Sequence, residues 1–197
     1  SKAGFRFLIN KIFKIEGGKL IREIDQRGIQ IKTIPVNEDS RPWEAMSFPK
    51  FSLVDIINER WDEPTLFENE EFESTFKNQI NNPYIFIPII KKKIKGKFES
   101  WDNWTVGNII LWIPSFKELE GIKMEWEEVK QIIKSGVITQ VVKHGNGTRQ
   151  LNNLLKSKNT NYIHIRPHAK DSRDVDIPYL EYTKGRVSIC WQSFWLN

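Results

Sequence analysis

From Leu119 to Gly136 the chain repeats apolar residues at spacings of three and four (Leu119, Ile122, Trp126, Val129, Ile133) and then meets a glycine stop. This predicts an amphipathic helix with one face committed to a core. Such a face must be covered by another layer, and the sequence around it supplies strands. Gly28 to Val36 is rich in β-branched residues, with Gln30 and Lys32 on one face, Ile29 and Ile31 on the other, and Pro35 expected to end it. Tyr84 to Ile90 is an apolar run of strand length that reads as buried. Asn108 to Pro114, Val137 to Lys143 and Tyr162 to Arg166 read as further strands, the last two separated by a short helix around Leu151, Leu154 and Leu155. Phe5, Leu8, Ile9, Ile12 and Phe13 predict a helix over 3–15 before Gly17-Gly18. The acid-rich stretch 58–73 reads as a solvated loop leading into a helix near 70–80. Strands alternating with helices predict an α/β layer structure, a mixed β-sheet flanked by helices, and no linker divides residues 1–197 into separate domains.

Charge and cysteine usage narrow the setting. Lys and Arg total 30 against 25 Asp and Glu, a net charge of +5 that suits a polyanionic partner and equally an inert basic surface. Five lysines crowd into positions 91 to 97 (Lys91, Lys92, Lys93, Lys95, Lys97), readable as a solvated turn or as phosphate contacts. Cys190 is the one cysteine, so no internal disulfide forms and a reducing cytoplasm is the natural setting. Its neighbours Val187 to Trp191 make it a small core hydrophobe. No apolar run reaches the ~18 to 20 residues that span a bilayer, and no signal-peptide pattern opens the chain. The start at Ser1 and the apolar end Phe194-Trp195-Leu196-Asn197 read as cut ends of a longer polypeptide.

Gln30 and Lys32 form a polar pair on an otherwise apolar strand, which on chemistry alone is either a satisfied hydrogen-bond network at a cleft edge or the remnant of a metal site. Gly28-Ile29-Gln30-Ile31-Lys32-Thr33-Ile34-Pro35-Val36, followed by Ser40-Arg41-Pro42-Trp43-Glu44, resembles the active-site region of the MutH mismatch-repair endonuclease family, which shares its fold with GATC-cutting type II restriction enzymes of the PD-(D/E)XK superfamily. The resemblance continues through Thr105 to Pro114, Glu125-Trp126-Glu127-Glu128, His144-Gly145 and Tyr162 to Ala169, which contains Ile-Arg-Pro, and ends at Phe194 to Asn197. It implies a restriction-endonuclease-like fold over the whole chain.

Carried across residue by residue, the resemblance implies a degenerate magnesium site. The family's helix glutamate falls at Ile9 or Asn10, its aspartate at Glu23 with Asp25 as an alternative, its strand glutamate at Gln30 and its lysine at Lys32. A second lysine falls near Gln79 or Ile80. An amide offers a hard cation only a neutral carbonyl oxygen, so the expectation is a domain without metal and without catalysis, in a parent enzyme that uses Mg2+. The expected DNA-binding residues are Arg166, as the arginine that enters the major groove, His168 in place of a lysine, Trp195 in place of a base-contacting tyrosine, and Lys143, His144 and Arg41. Other roles stay open. Arg166 can pair with Asp171, Asp174 or Asp176, Trp195 can be core, and His164 with His168 have metal-like spacing but no fitting partner.

The function so implied is that of a GATC-specific, double-stranded DNA-binding effector domain of a type II restriction endonuclease, with a catalytic MutH-like domain of the same polypeptide and possible dimerisation on DNA. The alternatives are a divergent magnesium-dependent endonuclease that uses Glu23, Asp25 and Gln30, and a protein-interaction module that has lost DNA.

Overall fold

The structure, a computed structural model, describes residues 24, 26–62, 72–91, 93–94, 97–98, 103–171 and 173–197. The expected helix at 3–15 lies outside them, as do Glu23 and Asp25. In chain order the elements are β1 (Gln30–Val36), β2 (Met46–Phe51), α1 (Leu53–Asn58), β3 (Glu59–Arg60), β4 (Phe72–Glu73), α2 (Thr75–Ile80) and β5 (Tyr84–Ile90). There follow β6 (Lys93–Ile94), β7 (Lys97–Phe98), β8 (Thr105–Val106), β9 (Ile110–Trp112) and α3 (Phe116–Ser135). The chain then forms β10 (Thr139–His144), β11 (Gly147–Asn152), β12 (Ile163–Pro167), α4 (Ile177–Tyr182) and β13 (Gln192–Leu196). Two compact units result, each assembled from separate stretches: residues 1–44 with 80–114, and 45–79 with 115–197.

The first unit is built on β5, whose apolar run places it inside the sheet as expected. β1 pairs with it in parallel, in register from Gln30 opposite Tyr84 to Val36 opposite Ile90. β8 and β9 pair with it antiparallel, so the sheet is mixed. Tyr84, Phe86 and Trp112 gather on β5 and β9 with ring centroids 5.7 to 5.9 Å apart, and burial pushes the Tyr84 phenol up to about 12. Pro35 does not end β1, which runs on to Val36. A proline lacks the N–H of an inner ladder but is tolerated where a strand has one neighbour, and among the described residues β5 is the one strand that pairs with β1. The third predicted strand is shorter than Asn108–Pro114, and β6 pairs with β7 where a turn was expected. Lys91 is half-buried: its ammonium lies 4.1 Å from the Trp104 ring centroid and 5.2 Å from that of Trp43, and burial lowers its pKa.

The second unit contains the predicted long helix as α3. Ser115 and Glu118 close a reciprocal cap at its start, and Gly136 (φ +98°) ends it in a conformation that only glycine adopts without strain. Its buried stripe is Ile122, Trp126, Val129, Lys130 and Ile133. Residues 59–61 correct the expectation of a solvated loop. Glu59 and Trp61 are buried, β3 pairs in parallel with β4, and the Lys130 ammonium donates to the Glu59 carbonyl oxygen. Here Trp61 supplies the burial, packing 5.6 Å from Trp126 and 6.3 Å from Phe76. The helix expected around Leu151, Leu154 and Leu155 is absent. Its first part is β11, hairpin partner of β10, while Leu154 and Leu155 enter the core without helical pairing. The turn is made by His144-Gly145-Asn146-Gly147 with Gly145 at φ +56°, so turn chemistry prevails over the leucine spacing. A three-stranded antiparallel sheet, β12-β13-β2, completes the unit, and the stacked rings of Phe51, Phe194 and Phe76 cover one side of it. No helix of the described residues is long and apolar enough to cross a membrane.

Candidate nucleic-acid interface

In the first unit, Gly28 takes φ +67° so that the chain turns into β1, and the Ile29 N–H donates to Ile24 O at 3.0 Å. Gln30 then opens the strand. Its N–H donates to Pro83 O at 2.8 Å, and the residue is exposed; Lys32, two residues on, is half-buried. The strand thus offers a neutral amide and a cation on one face, a donor set that does not fit a hard divalent ion. Among the described residues no three His, Cys, Asp or Glu side chains come together. Ile80, where the resemblance looks for a second lysine, is fully buried, and Gln79 is half-buried. Arg41 belongs to the same unit. It follows Ser40 at φ +65° and is highly exposed, its Nε 3.4 Å from Asp39 Oδ2.

The second unit brings Arg166, His168 and Trp195 together. Alternation along β12 puts His164 and Arg166 on one face, with His168 just beyond the strand. The register sets Trp195 opposite His164 and Ser193 opposite Arg166. Arg166 is exposed, with its Cζ 5.0 Å from the Trp195 ring centroid. His168 Nδ1 lies 3.0 Å from Ser193 Oγ, and its N–H donates to Trp191 O at 2.8 Å. The aspartates considered as partners for Arg166 are committed elsewhere. Asp171 holds Arg173 at 3.0 Å, Asp174 accepts the Lys170 N–H at 2.9 Å, and Asp176 is buried under three hydrogen bonds. Among the described residues no ion pair restrains the Arg166 guanidinium.

Trp195 is half-buried, and its Nε1 lies inside without a hydrogen-bond partner among the described residues. The indole therefore presents its ring to Arg166 and not its N–H to solvent. The ring of His164 stacks 6.4 Å away, and burial first, then the charge of Arg166, lower its pKa, which makes it a neutral part of the floor. A zinc-like role for His164 with His168 is not what the sheet builds, since one is buried and the other bonded to Ser193.

Sequence reasoning missed two members of this face. On β2, Lys50 stands opposite Ser193, and its ammonium lies 4.5 Å from the Trp191 ring centroid. Phe48 and Pro49 together oppose the single residue Phe194, a bulge that shifts the register between Ser193 and Trp195. Two cations, each resting on an indole, thus flank the buried Ser193. Lys143 and His144 are not part of this face. They sit, exposed, at the turn of the separate β10-β11 sheet. One sequence signal points to the whole region. The 42 residues from Val129 to Lys170 hold eight Lys and Arg, all three His and no Asp or Glu. The remainder of the chain has 22 Lys and Arg against 25 Asp and Glu, so the entire positive excess lies in that run.

No family model matches the chain. It is similar to the DNA mismatch repair protein MutH of Shewanella woodyi, 25% identical over 148 residues that cover 75% of this chain and 52% of the relative. It is also similar to MutH of Vibrio cholerae, 25% identical over 66% of this chain and 52% of the relative. The type II restriction enzyme Sau3AI of Staphylococcus aureus is 21% identical over 77% of this chain and 30% of that enzyme. The chain spans about half the length of these MutH relatives. The chain is thus similar to MutH and to a type II restriction enzyme, and its mixed sheet agrees with the restriction-endonuclease-like fold that this resemblance implies.

Proposed function

We propose that the chain is a DNA-binding domain that reads GATC in duplex DNA and serves a type II restriction endonuclease as an allosteric effector without cutting DNA itself. The observation that carries the reading is the β12-β13-β2 face, where an arginine free of any carboxylate among the described residues rests on an indole beside a second cation–indole pair. A guanidinium held this way loses little conformational freedom on binding and can form paired hydrogen bonds with guanine O6 and N7. Gln30 in place of a carboxylate supports the non-cutting half of the proposal, because a neutral amide cannot share a magnesium charge. The catalytic step, with its Mg2+, belongs to a MutH-like domain of the same polypeptide. Linkage explains how a silent domain matters: binding DNA better in one conformation of the whole enzyme shifts the population toward it. Dimerisation on DNA is compatible with this scheme.

A fluorescence anisotropy titration of the purified chain with a GATC duplex, the same duplex scrambled, and competitor DNA tests the binding half. Preference for GATC is expected. Equal affinity for both duplexes contradicts sequence reading, and no binding to either leaves a protein-interaction module. Lys50→Ala is expected to lower affinity for both duplexes alike and to reduce the slope of log K against log salt by about one, the signature of one lost phosphate contact. An unchanged slope would remove Lys50 from the interface.

A further inference from the structure

We infer that the β10-β11 hairpin is a second DNA-contacting element that lies in a groove of the duplex, an inference that rests on the DNA-binding reading above. Among the described residues the ribbon pairs only with itself, from Thr139 opposite Asn152 to His144 opposite Gly147. An isolated two-stranded ribbon is marginal in water unless something else holds or covers it. Its base is anchored: Ile138 N–H donates to Asn153 Oδ1 at 2.9 Å, and Gln150 Nε2 donates to Ser188 O at 2.7 Å. The rest is bare. Val141 is 65% exposed, and Lys143, His144, Thr148 and Arg149 are exposed around it.

The charge of this segment selects the occupant. The ribbon lies within the acid-free run Val129 to Lys170, and neither Lys143 nor Arg149 has an ion pair among the described residues. Cations left without carboxylates on an exposed ribbon are suited to a polyanion, whereas a protein partner of ordinary composition would leave them uncompensated. The dimensions agree. Six paired residues per strand extend about 20 Å at ~3.4 Å each, and a two-stranded ribbon enters a major groove about 12 Å wide. Lys143 and Arg149 project from opposite faces, because Lys143 pairs with Thr148 and Arg149 with Val142. In a groove each faces a different phosphate strand.

The test is the salt dependence of duplex binding by the chain carrying Lys143→Gln with Arg149→Gln. A control, Lys117→Gln with Arg186→Gln, removes two exposed charges outside the acid-free run. The hairpin variant is expected to lower the slope of log K against log salt by about two, at ~0.9 per phosphate contact, on GATC and scrambled duplexes alike. The control should leave the slope in place, and Lys143→Arg with Arg149→Lys should restore it, which also shows that the ribbon still folds. A chain that binds DNA with the same slope with or without these two cations overturns the inference and leaves the reading of the Arg166 face intact. So does a hairpin variant whose only change is in self-association by light scattering, since the ribbon would then be an interface between copies. A wild-type chain that binds no duplex at any salt defeats both readings at once.

Discussion

Replacing Arg166 by alanine is expected to weaken binding to a GATC duplex by about 1 to 3 kcal/mol while leaving scrambled duplex nearly unaffected. The side chain is exposed, stacked on Trp195 and bonded to no carboxylate among the described residues, so its removal should leave no buried partner stranded and should cost little stability. On the proposed reading, what is lost is a directional pair of hydrogen bonds to one base. Arg166→Lys keeps the charge but not the planar fork, and should recover non-specific binding without recovering GATC preference. Competition anisotropy with the two duplexes measures both. A parallel loss on both sequences would mean that Arg166 contacts phosphate and that the base reading lies elsewhere on the face.

The second large effect concerns stability. Asp176, fully buried, accepts from Ser52 Oγ at 2.8 Å, from the Leu53 N–H at 2.8 Å and from the Tyr179 N–H at 3.1 Å. One side chain thereby caps the start of α4 and ties it to the start of α1, 123 residues earlier in the chain. Asp176→Ala leaves three donors unpaired in the interior, each at ~1 to 3 kcal/mol, and the expected loss after local relaxation is about 3 to 5 kcal/mol of unfolding free energy. Asp176→Asn should lose less, because its carbonyl oxygen still accepts while its amide nitrogen cannot receive the Leu53 N–H. Urea denaturation of the three proteins, with unchanged m-values, checks the ranking. A loss below 1 kcal/mol for alanine would mean that water replaces the carboxyl and that the two helices are held by their apolar contacts.

The same contrast between local and distant cause explains what could be read in the sequence. Strand β5 and helix α3 were legible because their signals are local: a continuous apolar run for the one, and for the other a periodic stripe with a glycine stop. In the β10-β11 hairpin, β10 was read as a strand over Val137 to Lys143, but β11 was not: it is exposed and carries no alternation, and Leu151, Leu154 and Leu155 mimic a helical spacing that the turn at Gly145 overrules. Pro35 misled for a different reason, since whether a proline ends a strand depends on how many neighbours that strand has. Arg166 and Trp195 could be named from motifs, but that the arginine lies on the indole is a matter of sheet register. Lys50 reaches the same face only through pairing between β2 and β13, which lie more than 140 residues apart.

The central claim is that this domain binds DNA and leaves it intact, and an incubation of supercoiled GATC-containing plasmid with a stoichiometric amount of the chain, in magnesium and separately in manganese, tests it most directly. The account predicts a retarded complex from which deproteinised plasmid is recovered supercoiled. Nicked or linear plasmid that forms with the wild-type chain, and disappears with Lys32→Ala prepared in parallel, would contradict it and make β1 a working catalytic strand.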